Sequence, residues 1–524
     1  MKRFPHTVLS LAAAAVAGAS GVEAKDGPAS PASRPKGTAV DAVVQKRLRG
    51  LDLEPAGNCP DAVFVRRVYL DLTGTLPAAA ETREFLADRH PAKRERLVEE
   101  LFERPEFADY WAMKWCDLLR VKSEFPINLW PNAVQAYHRW VRTGVAENKR
   151  YDGFVRELLT SSGSNFRVAP VNFYRAVQER EPEAIARVVA LTFMGAQAGK
   201  WPEEQLEGMA GFFAGIKFKK TNEWKEEIVH VDLFDTGTGR APGAHATLPD
   251  GTKVELVPGE DPRIAFAEWL IQPDNPWFTT CIANRMWAWF FGRGIIHEPD
   301  DIRSGNPPSN PELLALLRRE LVRSGYDLRH LMRLVVNSAT YQQSNLPSSD
   351  RPGAAAHFGC YPIRRLDAEV LIDAICKVTG TTEDYWSVIP EPYTFIPRDR
   401  RTIALADGSI TSPFLELFGR PPRDTGKAAE RDNQPTAAQS LHLLNSSHIR
   451  GKIERVRWRR LAGNRRDPDE AVRELYLTIV SRYPTEDELD TVRRYARTSE
   501  AGRRHALTDT AWALLNSPEF LFRH

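Results

Sequence analysis

The sequence predicts a mainly α-helical protein, two helical domains joined by a small β-rich insert, and three observations carry that prediction. Apolar residues recur at three- and four-residue spacing through most of the chain. Prolines and side-chain caps fall at the ends of those runs. Only the window 219–262 alternates with a period of two. At 524 residues the chain is roughly three times the ~150-residue prior for one domain. Its 42% hydrophobic and 27% charged residues are ordinary globular usage, which excludes a disordered, collagen-like or multi-span membrane chain.

The elements follow in order. Met1-Lys2-Arg3, the alanine-dominated stretch Val8 to Val22 and the small-residue site ending at Ala24 have the shape of a secretory signal, so residues 1–24 are read as a cleaved leader. The apolar stretch is shorter than the ~20 residues a spanning helix needs. Residues 25–38, rich in Pro, Ala, Ser and Gly, read as a flexible tether. The N-terminal helical domain, 39–218, contains periodic runs over Asp61 to Leu72, Arg94 to Phe102, Phe107 to Arg120, Ala133 to Asn148, Tyr151 to Thr160 and Glu181 to Gly195, and Pro202 opens another towards Phe213. Pro77, Pro91, Pro105 and Pro131 separate several of them.

Within 219–262, Val229, Val231 and Leu233 alternate with polar residues, Asp235 to Gly239 reads as a turn, and Asp250-Gly251 marks a hairpin tip between Leu248 and Val254. Helical periodicity returns in the C-terminal domain, 263–524, over Ile264 to Ile271, Trp277 to Phe291, Pro311 to Ser324, Leu328 to Asn337 and Asp367 to Thr379. Asn310-Pro311-Glu312 supplies a cap, a proline at the first helical position and a carboxylate at the positive dipole end. Residues 381–426, rich in Pro and Gly and without a period, read as a long surface loop of the kind that often carries function. Three closing helices run from Ala471 to Ser481, Thr485 to Thr498 and Arg503 to Asn516, the second opened by a Thr485/Glu488 capping box.

The formal charge of +2 provides no global field for nucleic acid. The five cysteines, Cys59, Cys116, Cys281, Cys360 and Cys376, include no C-x-x-C pair, so neither a thioredoxin-type centre nor covalent haem can be written. His442 and His448 lie six apart, a spacing that does not place them on one helical face, and no metal site is expected. No nucleotide-binding or hydrolase-elbow motif is present.

Asp300-Asp301 is the first candidate for carboxylate chemistry, with Glu430 a further one, because glycoside hydrolysis needs an acid and a second carboxylate. Neighbouring residues diverge on a helix, so the plainer reading has one of the two aspartates capping or pairing with Arg303 while the other meets water. Asn284 and Arg285 sit in an apolar helix, where a buried guanidinium requires an anion, Glu369 or Glu430. Arg364 and Arg365 stand at helical spacing from Glu369, and Arg431 beside Glu430 joins the same expected ion-pair network, which is read as structural or ligand-holding. Trp111, Trp115, Trp140, Trp287 and Trp512 lie at helix-core spacing and are assigned to packing.

Particular strings add a family. Arg66-Arg67-Val68-Tyr69-Leu70-Asp71-Leu72-Thr73-Gly74 and Trp111 to Arg120 resemble the cytochrome-associated domain of unknown function numbered fifteen-forty-nine (PSCyt-two). Asn275-Pro276-Trp277-Phe278, Asn284-Arg285-Met286-Trp287, Phe291 to Gly294, Pro299 to Arg303, Asn337 to Tyr341, Arg364 to Glu369 and Leu515 to His524 resemble its usual companion, fifteen-fifty-three (PSD-one). The resemblance implies a secreted protein of planctomycete type, related to chains that carry a cytochrome c domain. Such relatives continue into C-A-x-C-H where this chain has Ala198-Gly199-Lys200-Trp201, and carry two cysteines where it has Lys427-Ala428-Ala429. The resemblance thus implies a branch that has lost a haem or redox centre and needs no cofactor. The expected role is a non-catalytic periplasmic or extracellular binding or assembly protein, not membrane-spanning after leader cleavage, with a protein or glycan partner; the alternative is a hydrolase of extracellular polysaccharide.

Overall fold

The computed structural model describes residues 37–233, 245–348, 353–456, 467–498 and 502–524. The predicted leader, all but the end of the tether, and the predicted turn at Asp235 to Gly239 lie outside the described residues. The fold is mainly helical with small sheets, as the periodicity predicts.

The first helices are α1 (Ala39–Gly50), α2 (Asp61–Leu72), α3 (Ala79–Ala87), α4 (Lys93–Phe102), α5 (Pro105–Leu118), α6 (Pro131–Ala146) and α7 (Tyr151–Thr160). Strand β1 (Gly163–Ser164) follows, then α8 (Pro182–Val189), which continues as a wider turn over Ala190–Met194, and α9 (Glu203–Ala210). Strands β2 (Ile216–Lys220) and β3 (Glu227–Val231) pair antiparallel, with Phe218 opposite Val229, and β1 adds to the outer edge of β3. Strands β4 (His245–Thr247) and β5 (Lys253–Glu255) form the hairpin predicted around Asp250-Gly251, closed by Leu248 N donating to Thr252 O at 2.8 Å.

The second half contains α10 (Pro262–Leu270), α11 (Phe278–Phe291), α12 (Pro311–Arg323), α13 (Leu328–Val336), β6 (Arg364–Arg365) and α14 (Ala368–Thr379). It continues through α15 (Pro413–Leu417), α16 (Ala437–Asn445), α17 (Ser447–Glu454), α18 (Pro468–Val480), α19 (Glu486–Thr498) and α20 (Gly502–Leu515) to β7 (Phe522–Arg523). Asn310 accepts from Leu313 N and opens α12, as its sequence predicts. The Thr485/Glu488 box is formed in both directions, at 2.8 and 3.2 Å.

Helices α2, α5, α11 and α14 are buried on almost every face: their apolar residues spread beyond one stripe, and charged side chains among them, Arg66, Arg67 and Asp71 on α2, Lys114 on α5, Arg285 on α11 and Glu369 on α14, are buried with them. They bring the two halves into one continuous core. Trp111 on α5 packs edge-on against Trp289 of α11 at 5.5 Å, and Trp115 meets the same ring at 5.9 Å. The core assignment of Trp111, Trp115 and Trp287 therefore holds.

The 381–426 segment departs from the sequence expectation. Its first part is exposed, but Ile403, Leu405, Ile410, Phe414, Leu415 and Phe418 are buried. Their apolar spacing is irregular, so no periodicity announced it. The carboxylate of Asp373 on α14 turns the chain inward by accepting Thr402 N at 2.7 Å and Ile403 N at 3.0 Å. Burial raises that carboxyl to about 6 despite both donors.

Candidate functional site

The residues singled out from sequence fall into buried polar ties between the halves. Arg431 is the hub: its guanidinium meets Glu369 at 2.6 and 3.0 Å and Asp117 at 2.6 Å. Asp117 also accepts Arg423 Nε at 2.9 Å. Asp367 accepts Lys114 at 2.9 Å, Arg523 at 3.2 Å, the Tyr110 hydroxyl at 3.2 Å and the Asn433 amide at 2.8 Å. Asp71 accepts the hydroxyls of Tyr341 and Tyr361 at 2.8 and 2.9 Å and pairs with Arg523 at 3.0 Å.

Burial alone would raise the carboxyls of Glu369 and Asp367, yet the facing cations win. Arg431 and Arg420 hold Glu369 down at about 2, and Lys114, Arg523 and Arg431 hold Asp367 well below the usual carboxylate range. Charges removed from water and matched this closely specify one arrangement of the helices rather than a large net stability.

Three sequence expectations need correction here. The anion facing Arg285 is Asp300, at 2.7 Å, instead of Glu369 or Glu430. Asp300 therefore does not face water; its second oxygen accepts Ala428 N at 2.6 Å. Arg364 and Arg365 do not pair with Glu369 along a helix, because β6 pairs them with β7 and turns both side chains elsewhere. Arg364 donates to the carbonyls of Trp289 at 3.0 Å and Phe290 at 2.5 Å, and Arg365 to those of Phe418 at 2.7 Å and Asp432 at 2.9 Å.

The others are equally engaged. Asn284 brackets Ile296, donating to its carbonyl at 2.9 Å and accepting its N–H at 2.8 Å. Asp301 pairs with Arg303 at 2.9 Å, as the plainer reading of the aspartates expects. Glu430 accepts the N–H groups of Asp424 and Thr425 at 2.8 and 3.1 Å, while its other oxygen is buried without a partner. His442 and His448 come together despite their spacing, Nε2 to Nδ1 at 3.4 Å, because they sit on successive helices, and Glu383 holds His448 at 2.9 Å. Among the described residues no group of three or more side chains forms a metal site.

A different cluster reaches solvent. Three loops meet at an aromatic platform: Val121 to Trp130, the β2–β3 tip, and the first part of the 381–426 segment. Trp130 contacts Trp224 edge-on at 6.3 Å and Tyr393 at 5.7 Å, and Lys225 lies over the Trp130 ring at 4.8 Å. Trp224 is 69% exposed and Tyr393 55%, and Phe125 in the Trp130 loop and Phe395 two residues after Tyr393 are more exposed still.

The loops are fastened to one another. Glu124 accepts Val388 N at 2.9 Å and the Ser387 hydroxyl at 3.1 Å, Ser123 N donates to Asp407 at 3.0 Å, and Arg175 holds Leu129 O at 3.2 Å. Trp130 stands at φ 73°, ψ 147°, a conformation close to the glycine-only region, where a side chain costs of order 1–3 kcal/mol. That conformation begins α6 while keeping the indole at the surface. Sequence reasoning missed this platform because it weighed tryptophans by helical period. The available signal was the reverse one: Phe125, Trp130, Trp224, Trp386, Tyr393 and Phe395 all fall between periodic runs, where no core claims them.

Fold and surface together define a helical scaffold with a bolted interior and a loop-borne aromatic face. Residues 39–217 match the PSCyt2 family, described as a protein of unknown function (DUF1549), and residues 262–496 match the PSD1 family, likewise a protein of unknown function (DUF1553). The chain belongs to the proteins that carry these two domains in this order. No curated protein and no solved structure matches it. Among the described residues no helix is long and apolar enough to cross a membrane.

Proposed function

We propose that this protein is an exported, non-catalytic glycan-binding protein, a rigid helical scaffold that presents the Trp130–Trp224–Tyr393 platform to a polysaccharide outside the cytoplasm. The observation that carries the proposal is the platform itself: Trp224 and Tyr393, both largely in water, meet on a half-buried Trp130, on cross-tied loops, with Trp130 held on strained backbone. Contiguous apolar groups at a surface mark interaction sites, and fixed rings bind at little entropic cost. A sugar lays its C–H face on an aromatic ring and turns its hydroxyls outward; exposed Asn222, Glu223 and Lys225 at the β2–β3 tip stand ready for those hydroxyls.

The engagement of Asp300 by Arg285 and Ala428 N, and of Asp301 by Arg303, favours binding over hydrolysis for this chain. Export rests on the leader pattern of residues 1–24. The loss of a haem or redox centre is supported by the neighbourhood of the two cysteine-free stretches. Both touch the loop 299–302: Lys200 Nζ stands 3.9 Å from Asp301 Oδ1, and Asp300 accepts Ala428 N at 2.6 Å.

Calorimetric titration of the full chain with soluble polysaccharides tests the proposal. The unmodified protein is expected to bind at least one glycan, and Trp130→Gly and Tyr393→Ala to weaken it at least tenfold. Binding of no glycan, equal binding by both variants, or capture of a protein at the platform in place of a sugar would refute it. N-terminal sequencing of protein from the cell envelope should begin near Lys25; an intact Met1 form confined to the cytosol would refute export.

A further inference from the structure

Beside the platform, α6 and the chain from Asp399 to Ala404 enclose a cleft of about 550 Å³. Its wall carries Arg139, Arg142, Arg400 and Arg401 against only Asp109 and Asp399. Asp109 is already shared, at 2.6 Å from Arg142 and 3.1 Å from Arg401. Arg139 and Arg400 form no ion pair with a described residue, and with Asp109 already shared, Asp399 is the one remaining carboxylate in the wall, so the lining keeps a surplus of guanidinium over carboxylate. His138 backs it, 8% exposed, with Nε2 lacking any hydrogen-bond partner.

A surplus of arginine in a concave site attracts an anion, and the planar guanidinium fork matches the paired oxygens of a carboxylate or sulfate. Burial, with Arg423, Arg400 and Arg142 around it, holds His138 down at about 3, so at neutral pH its ring is uncharged and has one N–H to donate. The location matters as much as the charge. Trp130 caps the N-terminus of α6 and His138 lies eight residues further, about 12 Å along the axis at 1.5 Å per residue. Arg400, seven residues after Tyr393, lies in the opposite wall. One oligosaccharide can lie on the rings and extend into the arginines.

We propose that this cleft is an anion subsite and that the ligand is an acidic glycan, bearing carboxylate or sulfate ester groups, bound across cleft and platform together. The glycan part rests on the platform reading; the anion part rests on the cleft alone. Four side chains do the work: Arg139 and Arg400 pair with the anion, while Arg142 and Arg401, held by Asp109, fix the shape of the wall.

The test compares dextran, dextran sulfate and polygalacturonate as titrants of the full chain, together with the rise in Tm in sulfate over chloride at matched ionic strength. The variants are Arg139→Gln/Arg400→Gln, which removes unpaired exposed charges and should fold, and Trp130→Gly. The unmodified protein should prefer one or both acidic polymers over dextran by at least tenfold, the preference should fall towards unity in the arginine variant, and the rise in Tm in sulfate should shrink there to the general salting-out effect of that ion. An equal affinity for acidic and neutral polymers, or a preference retained in the arginine variant, overturns the subsite. If no polymer binds, the sulfate effect decides: larger in the unmodified protein than in the arginine variant it supports the subsite, and equal in both it overturns it. If Trp130→Gly binds every polymer normally while the arginine variant loses its preference, the platform reading falls and the anion subsite stands.

Discussion

Replacing Arg431 with methionine removes the cation shared by Glu369 and Asp117 while keeping a side chain of similar reach. The guanidinium contacts being deleted are 2.6 and 3.0 Å to Glu369 and 2.6 Å to Asp117. Truncating one partner of a buried pair costs about 3–5 kcal/mol, because the remaining charge stays buried without compensation. The net preference for ionised Glu369, held from 4.5 down to about 2 by Arg431 and Arg420 against burial, is of the same order, about 3 kcal/mol at 1.36 kcal/mol per pH unit. Arg420 remains 3.6 Å from Glu369 and softens the loss, so about 3 kcal/mol is expected for Arg431→Met. Urea unfolding at pH 7 of the unmodified protein, Arg431→Met, Glu369→Gln and the double variant measures it. The double variant should lose less than the sum, with a coupling of about 1–3 kcal/mol. The pH dependence has a definite sign. Glu369 has its folded pKa below its unfolded one, so its contribution is complete above about pH 4.5 and disappears as pH falls towards 2. The stability gap between the unmodified protein and Glu369→Gln should close over that window. A loss below about 1 kcal/mol for Arg431→Met, or additivity within about 0.5 kcal/mol, would refute the reasoning.

Three further outcomes are expected. His138, held down at about 3 in the fold and ordinary when unfolded, contributes stability above pH 6.5 that fades on acidification; between pH 6.5 and 5 the loss is about 2 kcal/mol, which His138→Gln should remove in urea titrations, while Asp373, raised to about 6, works with the opposite sign in both proteins. Gly292→Ala should lower stability by at least about 2 kcal/mol, read as Tm, because at φ +67° its Cβ would stand 2.2 Å from Arg364 Cδ and push that guanidinium off Phe290 O. Trp130→Gly should change stability by no more than about 1 kcal/mol, since relief of about 1–3 kcal/mol of backbone strain offsets the lost ring contacts; a large loss of cooperativity in its unfolding curve would show that the indole is structural.

Helical periodicity placed most of the elements, since an amphipathic or all-apolar run can bury itself only as a helix of the observed length. Asp61–Leu72 and Tyr151–Thr160 match their predicted ends, and the caps at Asn310 and Thr485 act within three residues of sequence. Charge partners were not legible in the same way. Glu369 and Arg431 lie 62 residues apart and Arg431 and Asp117 314 apart, and their pairing depends on how α5 and α14 cross. Nearest-in-sequence reasoning assigned Arg364 and Arg365 to Glu369, while β6–β7 pairing sent them to backbone carbonyls.

What the sequence determined by itself was local or compositional: helices, caps, the small strands, the family strings and the leader pattern. Each depends on residues within a few turns of one another or on the strings as written. Only the tertiary structure decided which loops meet. Trp130, Trp224 and Tyr393 come from three segments with no shared period, and Arg139 and Arg400 from a helix and a loop far along the chain. A surface of that kind exists because a buried frame fixes where loop ends emerge, and loop side chains carry no repeating pattern from which their neighbours could be deduced.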